Sequence, residues 1–257
     1  MTTAFRKTRG NEPIEIAQRD DTYYWQLWHH NWDDHEIALF KQTLDLSDKT
    51  VLEVGCGDGR VVFGLADYCR EILGVDLDRR LIGSAKQRFA ACPATNIKFE
   101  VMDGQALQLP DESIDVVLLP WVLHMVADRR LTMSEAYRVL KSGGSAAVIG
   151  IHSDSDYDAI IKPFVVEPPC VQPETFYEKP IREFFGDRIR VIEKDCFPYV
   201  FDSVDIAHEA FVYTLKFHYQ AELDEDQKEQ LREKLSAYQH EGRVLINFYA
   251  SLYLAEK

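Results

Sequence analysis

The sequence predicts an α/β protein with a mostly parallel β-sheet. Between about residues 50 and 150, short apolar runs bounded by Gly, Asp or Pro alternate with segments of helical period. This alternation is typical of βαβ units, which place parallel strands side by side. The first apolar run is followed by three glycines at alternate positions, Gly55, Gly57 and Gly59. Glycines in such a turn let a ligand lie against the main chain.

The strands and helices of this region are assigned from local patterns. The five strand candidates are residues 51–54, 72–75, 97–101, 116–119 and 146–151. Between the first two candidates, one helical face collects four apolar side chains: Val62, Leu65, Ala66 and Cys69. The next connection places three more on a single stripe: Leu81, Ala85 and Phe89. These patterns predict strands that alternate with amphipathic helices.

The pattern changes after residue 151. The stretch IHSDSDYDAIIKPFVVEPPCVQPETFYEKP is rich in proline and polar residues, which predicts a long irregular segment and a candidate substrate loop. The chain then continues with a strand-like run at 188–197, helical segments at 208–219 and 224–242, and a final strand at 243–257. In the second helical segment, Leu231, Leu235 and Tyr238 form the apolar stripe.

Composition and charge limit the partners of the protein. A chain of 257 residues, 46% of them hydrophobic, is long enough to bury a sizeable core. The formal net charge of −14 disfavours nucleic acid, and no apolar run reaches membrane-spanning length. Five widely spaced cysteines without a C-x-x-C pair favour reduced thiols and a cytoplasmic location. A small molecule is therefore the expected partner, and the oligomeric state stays open.

The spacing of the glycines disfavours a dinucleotide. The dinucleotide fingerprint is G-x-G-x-x-G, and counting from Gly55 places Arg60 where its last glycine belongs. Glu53 lies near the end of the preceding strand, where a carboxylate is an awkward neighbour for an anionic pyrophosphate. A ligand that carries an ammonium or sulfonium charge suits this position better.

Four motifs in order resemble the class I S-adenosylmethionine-dependent methyltransferases. They are VLEVGCGDGR at 51–60, GVDLD at 74–78, VMDGQALQLPDESIDVVLLPWVLHMV at 101–126 and YRVLKSGG at 137–144. The resemblance covers about residues 45–151. It implies a Rossmann-like, mostly parallel seven-stranded sheet with a reversed C-terminal hairpin, helices on both faces and an N-terminal lid. The implied organisation is a lid at 1–44 and a cofactor-binding domain at 45–257, with a substrate-side insertion at 152–200.

The resemblance also implies a site for S-adenosylmethionine and its product S-adenosylhomocysteine. The expected cofactor-binding residues follow the first four strands: Glu53, Gly55, Cys56, Gly57, Asp76, Leu77, Asp103, Gly104, Leu119 and Pro120. By this resemblance, Asp76 takes both ribose hydroxyls and Asp103 bonds the adenine amino group. Two alternatives stay open, namely that the glycines form an ordinary turn and that Asp76 only caps the following helix.

The acceptor side of the site is less defined by the sequence. His124, expected on a helix after the fourth strand, is a candidate general base or a packing residue. An aromatic run before the first strand includes Tyr24 and Trp28, which with Trp121 are candidate substrate-binding residues. The same run is also compatible with plain core packing.

Two further stretches favour a structural interpretation over a functional one. HHNWDDHE at 29–36 collects His and Asp, but successive residues face different directions on any one element, so no metal site is expected. EPPC at 167–170 is similar to a motif of amino-group methyltransferases that act on nucleobases. That motif belongs after the fourth strand, where this chain has LLPWV, so EPPC is interpreted as a stiff extended loop.

The sequence thus predicts a methyltransferase that moves a methyl group to an O, N or C atom of a small-molecule metabolite. One alternative is an RNA or protein methyltransferase with the same core, which the acidity disfavours. Another is a catalytically silent cofactor-binding protein that serves a partner enzyme. A third alternative, a nicotinamide-dependent dehydrogenase, is disfavoured by Glu53 and Arg60.

Overall fold

A computed structural model describes residues 35–152, 154–166 and 173–257. One compact unit comprises residues 36–150, 172–193 and 251–257, and the remaining described residues, chiefly 194–250, form a second. The elements up to residue 151 are α1 His35–Thr43, β1 Thr50–Val54, α2 Arg60–Leu65, β2 Glu71–Asp76, α3 Arg79–Ala90, β3 Ile97–Val101, β4 Ile114–Pro120, α4 Arg129–Val139 and β5 Leu140–Ile151. A short 3-10 turn, Ala66–Tyr68, follows α2.

The later elements continue the alternation less regularly. They are α5 Asp156–Ile161, α6 Lys179–Phe185, β6 Ile189–Phe201, α7 Val204–His218, α8 Glu225–Ser236, β7 Gln239–His240 and β8 Arg243–Glu256. A 3-10 turn at Lys162–Phe164 follows α5, and a π-helical turn at Glu174–Glu178 precedes α6. Leu231 and Leu235 of α8 are fully buried, as their predicted stripe requires.

The strands pair in the order β3-β2-β1-β4-β5-β8-β6. β1 pairs in parallel with β2 and β4, β2 with β3, and β4 with β5. Along β5, the Gly143 N–H bonds to the Lys257 carbonyl and the His152 N–H to the Tyr249 carbonyl. Rising numbers on β5 thus meet falling numbers on β8, so β8 runs antiparallel. The predicted Rossmann-like, mostly parallel sheet with a reversed C-terminal strand is confirmed.

The described residues add one strand to the predicted seven. The two-residue β7 pairs with β8, with Gln239 opposite Val244 and His240 opposite Arg243. Glu241 and Gly242 connect them with φ values of 49° and 84°. Two positive φ angles in a two-residue loop are the conformation that tight hairpins favour. The sequence predicted a helical segment up to residue 242, but helix α8 ends at Ser236.

The centre of the sheet lies on β1 and β4. Val51 and Leu52 of β1 and Val117, Leu118 and Leu119 of β4 have no exposed surface. Strands that are covered on both faces carry such continuous apolar runs. In the described residues, no helix is both long enough and apolar enough to cross a bilayer.

The prediction of one long irregular segment after residue 151 is wrong for much of it. Ser155 and Asp158 form a reciprocal capping box that starts α5. Pro180 lies in the first turn of α6, where its missing N–H removes no helical hydrogen bond. Proline in this part of the chain therefore occurs at the start of a helix, and its presence does not by itself indicate a loop. Residues 1–34 and 167–172, including EPPC, lie outside the described residues, and the predicted domain boundaries stay predictions.

Candidate active site

The glycine turn after β1 has a left-handed backbone. The φ values are 74° at Gly55, 57° at Gly57 and 90° at Gly59. Residues other than glycine rarely adopt such positive φ angles. A Cβ on Gly55 would lie 2.3 Å from Cγ2 of Val122, so this glycine is packed against the segment after β4. A Cβ on Gly57 would meet no described atom within 4 Å. The main chain at Gly57 is therefore the part of the turn that a ligand can approach.

Asp76 ties this turn to the end of β2. Its Oδ2 accepts a hydrogen bond from the Gly57 N–H at 2.9 Å, and its Oδ1 accepts one from the Asp78 N–H at 2.8 Å. The side chain that caps α3 is Asp78, whose Oδ1 accepts the Arg80 N–H at 2.8 Å. The alternative that Asp76 only caps this helix is therefore wrong.

Buried charges surround the end of β1. Glu53 is 2% exposed and Glu36 of α1 is fully buried. Arg60, the first residue of α2, forms an ion pair with Glu36. Burial raises the pKa of Glu53 well above its usual range; Arg60 opposes this shift, while Glu36 and Asp76 add to it. The Glu36–Arg60 pair was not predicted from the sequence, where its only local signal is the arginine in place of the last fingerprint glycine.

Cys56 packs beneath the turn. Its side chain is buried, and a Cβ on Gly74 of β2 would lie 2.9 Å from its Sγ. Burial raises the pKa of the Cys56 thiol well above its usual range, and the charges of Glu53 and Asp76 raise it further. Because the side chain points at β2, the prediction that Cys56 lines the cofactor rests on its main chain.

Residues after β2 and β3 meet at the same edge of the sheet. Asp76 is opposite Val101 in the parallel pair, and the Met102 N–H bonds to the Asp76 carbonyl at 3.1 Å. The next residue, Asp103, accepts the Gln105 N–H at 2.9 Å through its Oδ1.

Two residues shape the surface at this edge of the sheet, one with an exposed apolar side chain and one with a main chain that passes close to β1. Leu77 is 52% exposed directly after Asp76, an uncovered apolar side chain beside two carboxylates. A Cβ on Gly104 would lie 2.6 Å from Cγ1 of Val54, so the chain here passes directly against the end of β1. Carboxylates beside apolar surface match what a nucleoside offers, with hydroxyl and amino groups on the rim of a flat ring.

The segment after β4 contains the strained backbone of the site. Leu119 and Pro120 end β4 and are buried, and Trp121 has a φ of 56°. A left-handed conformation in a bulky residue costs about 1–3 kcal/mol and is typical of functional sites. Trp121 Nε1 and His124 Nδ1 are both shielded from solvent. Residues 121–128 form turns, bends and irregular backbone, so the expected helix around His124 is wrong. Helix α4 starts only at Arg129, after the Asp128 cap.

Some predicted residues lie elsewhere or outside the described chain. Tyr24 and Trp28 are outside the described residues, so their contact with substrate stays a prediction. Of the HHNWDDHE stretch, His35 packs edge-on against Phe197 with 4.9 Å between ring centroids, and Glu36 joins the ion pair with Arg60. Among residues 35–152, 154–166 and 173–257, no group of three His, Cys, Asp or Glu is arranged to hold a metal ion.

The sheet order, the left-handed glycine turn after β1 and the acids after β2 and β3 define a nucleotide-type cofactor fold. Residues 52–148 match the family described as "Methyltransferase domain". This match supports the resemblance to the class I S-adenosylmethionine-dependent methyltransferases that the motifs predicted. The cofactor of this family is S-adenosylmethionine, with S-adenosylhomocysteine as product.

Relatives agree with this assignment. An uncharacterised methyltransferase of Mycobacterium tuberculosis is 32% identical over 124 residues, which cover 48% of this chain and 60% of the relative. The 27-O-demethylrifamycin SV methyltransferase of Amycolatopsis mediterranei is 30% identical, covering 53% and 58%. The crystal structure of YcgJ from Bacillus subtilis superposes with a TM-score of 0.66 at 17% identity, over 88% of this chain and 99% of that one. The chain thus spans about 60% of the length of these two curated relatives.

The buried Glu53 carboxyl makes stability depend on pH in a defined direction. A carboxyl whose pKa is raised by folding destabilises the folded state as pH rises from its unfolded value, about 4.3, through the folded value. Glu53→Gln should therefore melt at a higher temperature than the unaltered protein near neutral pH, without ligand. The difference should vanish near pH 4 and grow as pH rises. Thermal melts of both proteins across this range check it, and equal melting temperatures at every pH would contradict it.

Proposed function

We propose that this protein transfers the methyl group of S-adenosylmethionine to an O, N or C atom of a small-molecule metabolite. The observation that carries the proposal is the connection between Gly57 and Asp76. The carboxylate holds the Gly57 N–H at 2.9 Å, and the space beside Gly57 is open to a ligand. A left-handed glycine next to an acid at the end of β2 fits a ribose lying against the turn.

The proposed cofactor position follows the edge of the sheet. Glu53 and the turn 55–57 would hold the methionine portion, and Asp76 would accept the ribose hydroxyls. Leu77, Asp103 and Gly104 would border the adenine, with Leu119 and Pro120 on the opposite side. When bound, S-adenosylmethionine supplies an electrophilic methyl group on a sulfonium that is already a good leaving group.

The protein's own contribution to catalysis is alignment and exclusion of water. An in-line displacement needs the nucleophile and methyl carbon close together and collinear, and enforcing this geometry supplies much of the rate. Trp121 and His124 lie on the turn directly after β4, beside the packed contact between Gly55 and Val122. We assign Trp121 to the wall of the acceptor site. We assign His124 as the general base that accepts the proton of an attacking oxygen or nitrogen.

Several features support a small acceptor. The rifamycin relative carries the name of a small-molecule methyltransferase, and the net charge of −14 opposes binding to nucleic acid. The proposal includes a lid at residues 1–44 that brings Tyr24 and Trp28 to the acceptor, a domain at 45–257 and a substrate-side insertion at 152–200. It also includes a cytoplasmic location, because no disulfide joins the described cysteines Cys56, Cys69, Cys92 and Cys196.

The first expected result concerns ligand choice. Isothermal titration calorimetry should show binding of S-adenosylmethionine and S-adenosylhomocysteine and no binding of NAD, because Arg60 replaces the glycine over which a pyrophosphate would lie. The two sulfur ligands share the adenosine that Asp76 and Asp103 are proposed to hold. Tight binding of NAD with no heat from either sulfur ligand would refute the proposed cofactor.

A screen with labelled methyl donor decides among the alternatives for the acceptor. The purified chain is incubated with pools of small metabolites, with RNA and with protein extracts, and the labelled product is identified. Label in a metabolite pool supports the proposal. Label confined to RNA or protein would replace it with the macromolecular alternative. Cofactor binding without transfer to any pool would favour a silent partner protein.

The role of His124 has a separate test. If its imidazole accepts the proton of the acceptor, His124→Gln should lower kcat by about 10²- to 10⁴-fold and remove the limb of the pH–rate profile that reports the base. His240→Gln is the matched control, because His240 lies exposed on β7. Steady-state kinetics across pH measure both variants. A lower melting temperature with an unchanged profile would identify His124 as a packing residue.

A further inference from the structure

Three carboxyl groups and one guanidinium lie together at the end of β1. Glu36 has no exposed surface, Glu53 is 2% exposed, and the side chain of Arg60 is 16% exposed. Asp76 faces the same region from β2 and acts electrostatically on Glu53. Glu36 and Glu53 are two buried carboxyl groups beside one guanidinium, with the half-buried Asp76 adding a third negative charge. An unbalanced buried charge is removed most simply by protonation.

The three carboxyl groups are held differently. Glu36 forms the direct ion pair with Arg60, and Asp76 accepts two backbone N–H groups. Glu53 accepts the backbone N–H of Val62. Its Oε2, like Oε2 of Glu36, is buried without a hydrogen-bond partner among the described residues, but Glu36 has the Arg60 guanidinium as its direct partner. Glu53 is therefore the carboxyl group on which a proton is most favourable.

The methyl donor and its product differ in one charge. S-adenosylmethionine carries a sulfonium in addition to an ammonium and a carboxylate, whereas S-adenosylhomocysteine lacks the sulfonium. A cation brought within about 4–6 Å of a carboxyl group favours its ionised form. The position of Glu53, two residues before Gly55, places it beside the turn on which the proposed function puts the methionine portion.

We propose that Glu53, flanked by the Glu36–Arg60 pair, releases a proton when the cationic methyl donor binds and keeps it when the product is bound. This inference rests on the proposed function. The balance is simple: the bound donor brings one positive charge, and the O–H bond of the Glu53 carboxylic acid breaks and gives its proton to solvent. Donor binding therefore strengthens as pH rises, product binding does so less, and the difference favours exchange of product for donor.

Charged groups on several elements of the described residues face Glu53. Arg60 on α2 opposes protonation, while Glu36 on α1 and Asp76 on β2 favour it. Cys56 in the turn feels the charge of Glu53 and also that of Asp58. On β4 the residue opposite Glu53 is the apolar Leu118. Arg60, the cation of this set, forms an ion pair with Glu36, so the sulfonium of a bound donor would add a second positive charge near Glu53.

Calorimetry measures the proton directly. S-adenosylmethionine and S-adenosylhomocysteine are each titrated into the protein at one pH in two buffers of different ionisation enthalpy, and the dependence of the heat on the buffer gives the protons exchanged. We expect more protons released with the donor than with the product. Across the range where only the free protein holds the proton, the donor's Kd should fall by up to about tenfold per pH unit.

Glu53→Gln is the decisive variant. Glutamine resembles the protonated acid, so the variant should fold and bind the donor without the additional proton release, leaving donor and product with equal proton exchange. The amino group of the ligand itself titrates near pH 7.7–8.0, and this contribution is present equally in the variant, where it can be subtracted. Equal proton release by donor and product in the unaltered protein would overturn the inference while leaving the proposed function intact. Failure of both ligands to bind would overturn both.

Glu36→Gln tests the part played by the ion pair. Removing the Glu36 carboxylate removes a negative charge that favours the proton on Glu53, while the Arg60 cation that opposes this proton remains. The pH range over which the donor's Kd changes should therefore move downward. An unchanged range in a folded variant, judged by its thermal melt, would show that the pair does not set the charge of Glu53 and would overturn that part of the inference.

Discussion

Replacement of Gly57 by alanine is expected to weaken cofactor binding by about tenfold or more, equivalent to at least about 1.4 kcal/mol. A Cβ at this position meets no described atom within 4 Å, so the added methyl group projects into the space proposed for the ligand. The φ of 57° adds a folding cost of about 1–2 kcal/mol for any residue with a Cβ. Calorimetry with S-adenosylhomocysteine and a thermal melt measure the two effects separately.

Gly143→Ala is the matched control for this substitution. Gly143 has a φ of 77° and also offers open space to a Cβ, but it lies on β5 where its N–H bonds to the Lys257 carbonyl. The same backbone cost should lower its melting temperature to a similar extent while cofactor affinity stays unchanged. Equal affinities in Gly57→Ala and Gly143→Ala would show that the ligand does not lie against the turn.

The second large effect is expected at Asp76. Asp76→Ala removes the acceptor of the Gly57 and Asp78 N–H groups and the proposed acceptor of the ribose hydroxyls. Hydrogen bonds to a charged group contribute about 1.5–3 kcal/mol each. For one such bond lost, cofactor affinity should fall by about 10- to 150-fold. Calorimetry on the folded variant measures this loss.

Asp78→Ala separates this role from helix capping. Asp78 caps α3, so its removal should cost about 1 kcal/mol of stability. Cofactor affinity should remain near that of the unaltered protein, since neither oxygen of Asp78 bonds to the glycine turn in the described contacts. If Asp76→Ala behaved like Asp78→Ala, with reduced stability and intact affinity, Asp76 would be a structural residue only.

The parts of this site that the sequence predicted are those encoded within a few residues. A glycine turn directly after a buried strand, as at Gly55 and Gly57, and an acid at the end of the next strand, as at Asp76, are local patterns. The parallel sheet then brings the ends of neighbouring strands together without further information. For the same reason the strands from β1 to β5 were found with boundary errors of a few residues, the largest at β5, which starts at Leu140 instead of residue 146.

The features that the sequence could not predict depend on tertiary structure. Glu36 and Arg60 are 24 residues apart and meet only because α1 packs beside α2. A helix was expected at WVLHMV, but Trp121 at its start has a left-handed φ and the segment is irregular. Prolines between residues 152 and 181 looked like loop residues, although Pro180 is at a helix start. Composition alone does not distinguish these two uses of proline.

The packing of Cys56 lowers the reactivity of its thiol toward oxidants and electrophiles. Only the thiolate of a cysteine attacks such reagents, and both burial against Gly74 and the raised pKa keep Cys56 in the thiol form. The turn proposed to lie beside the electrophilic methyl group of the cofactor thus contains a sulfur atom that does not compete for that group. Thiol-directed labels should reach the half-buried Cys92 and Cys196 before Cys56, so a fluorophore can be attached for binding studies without altering the turn.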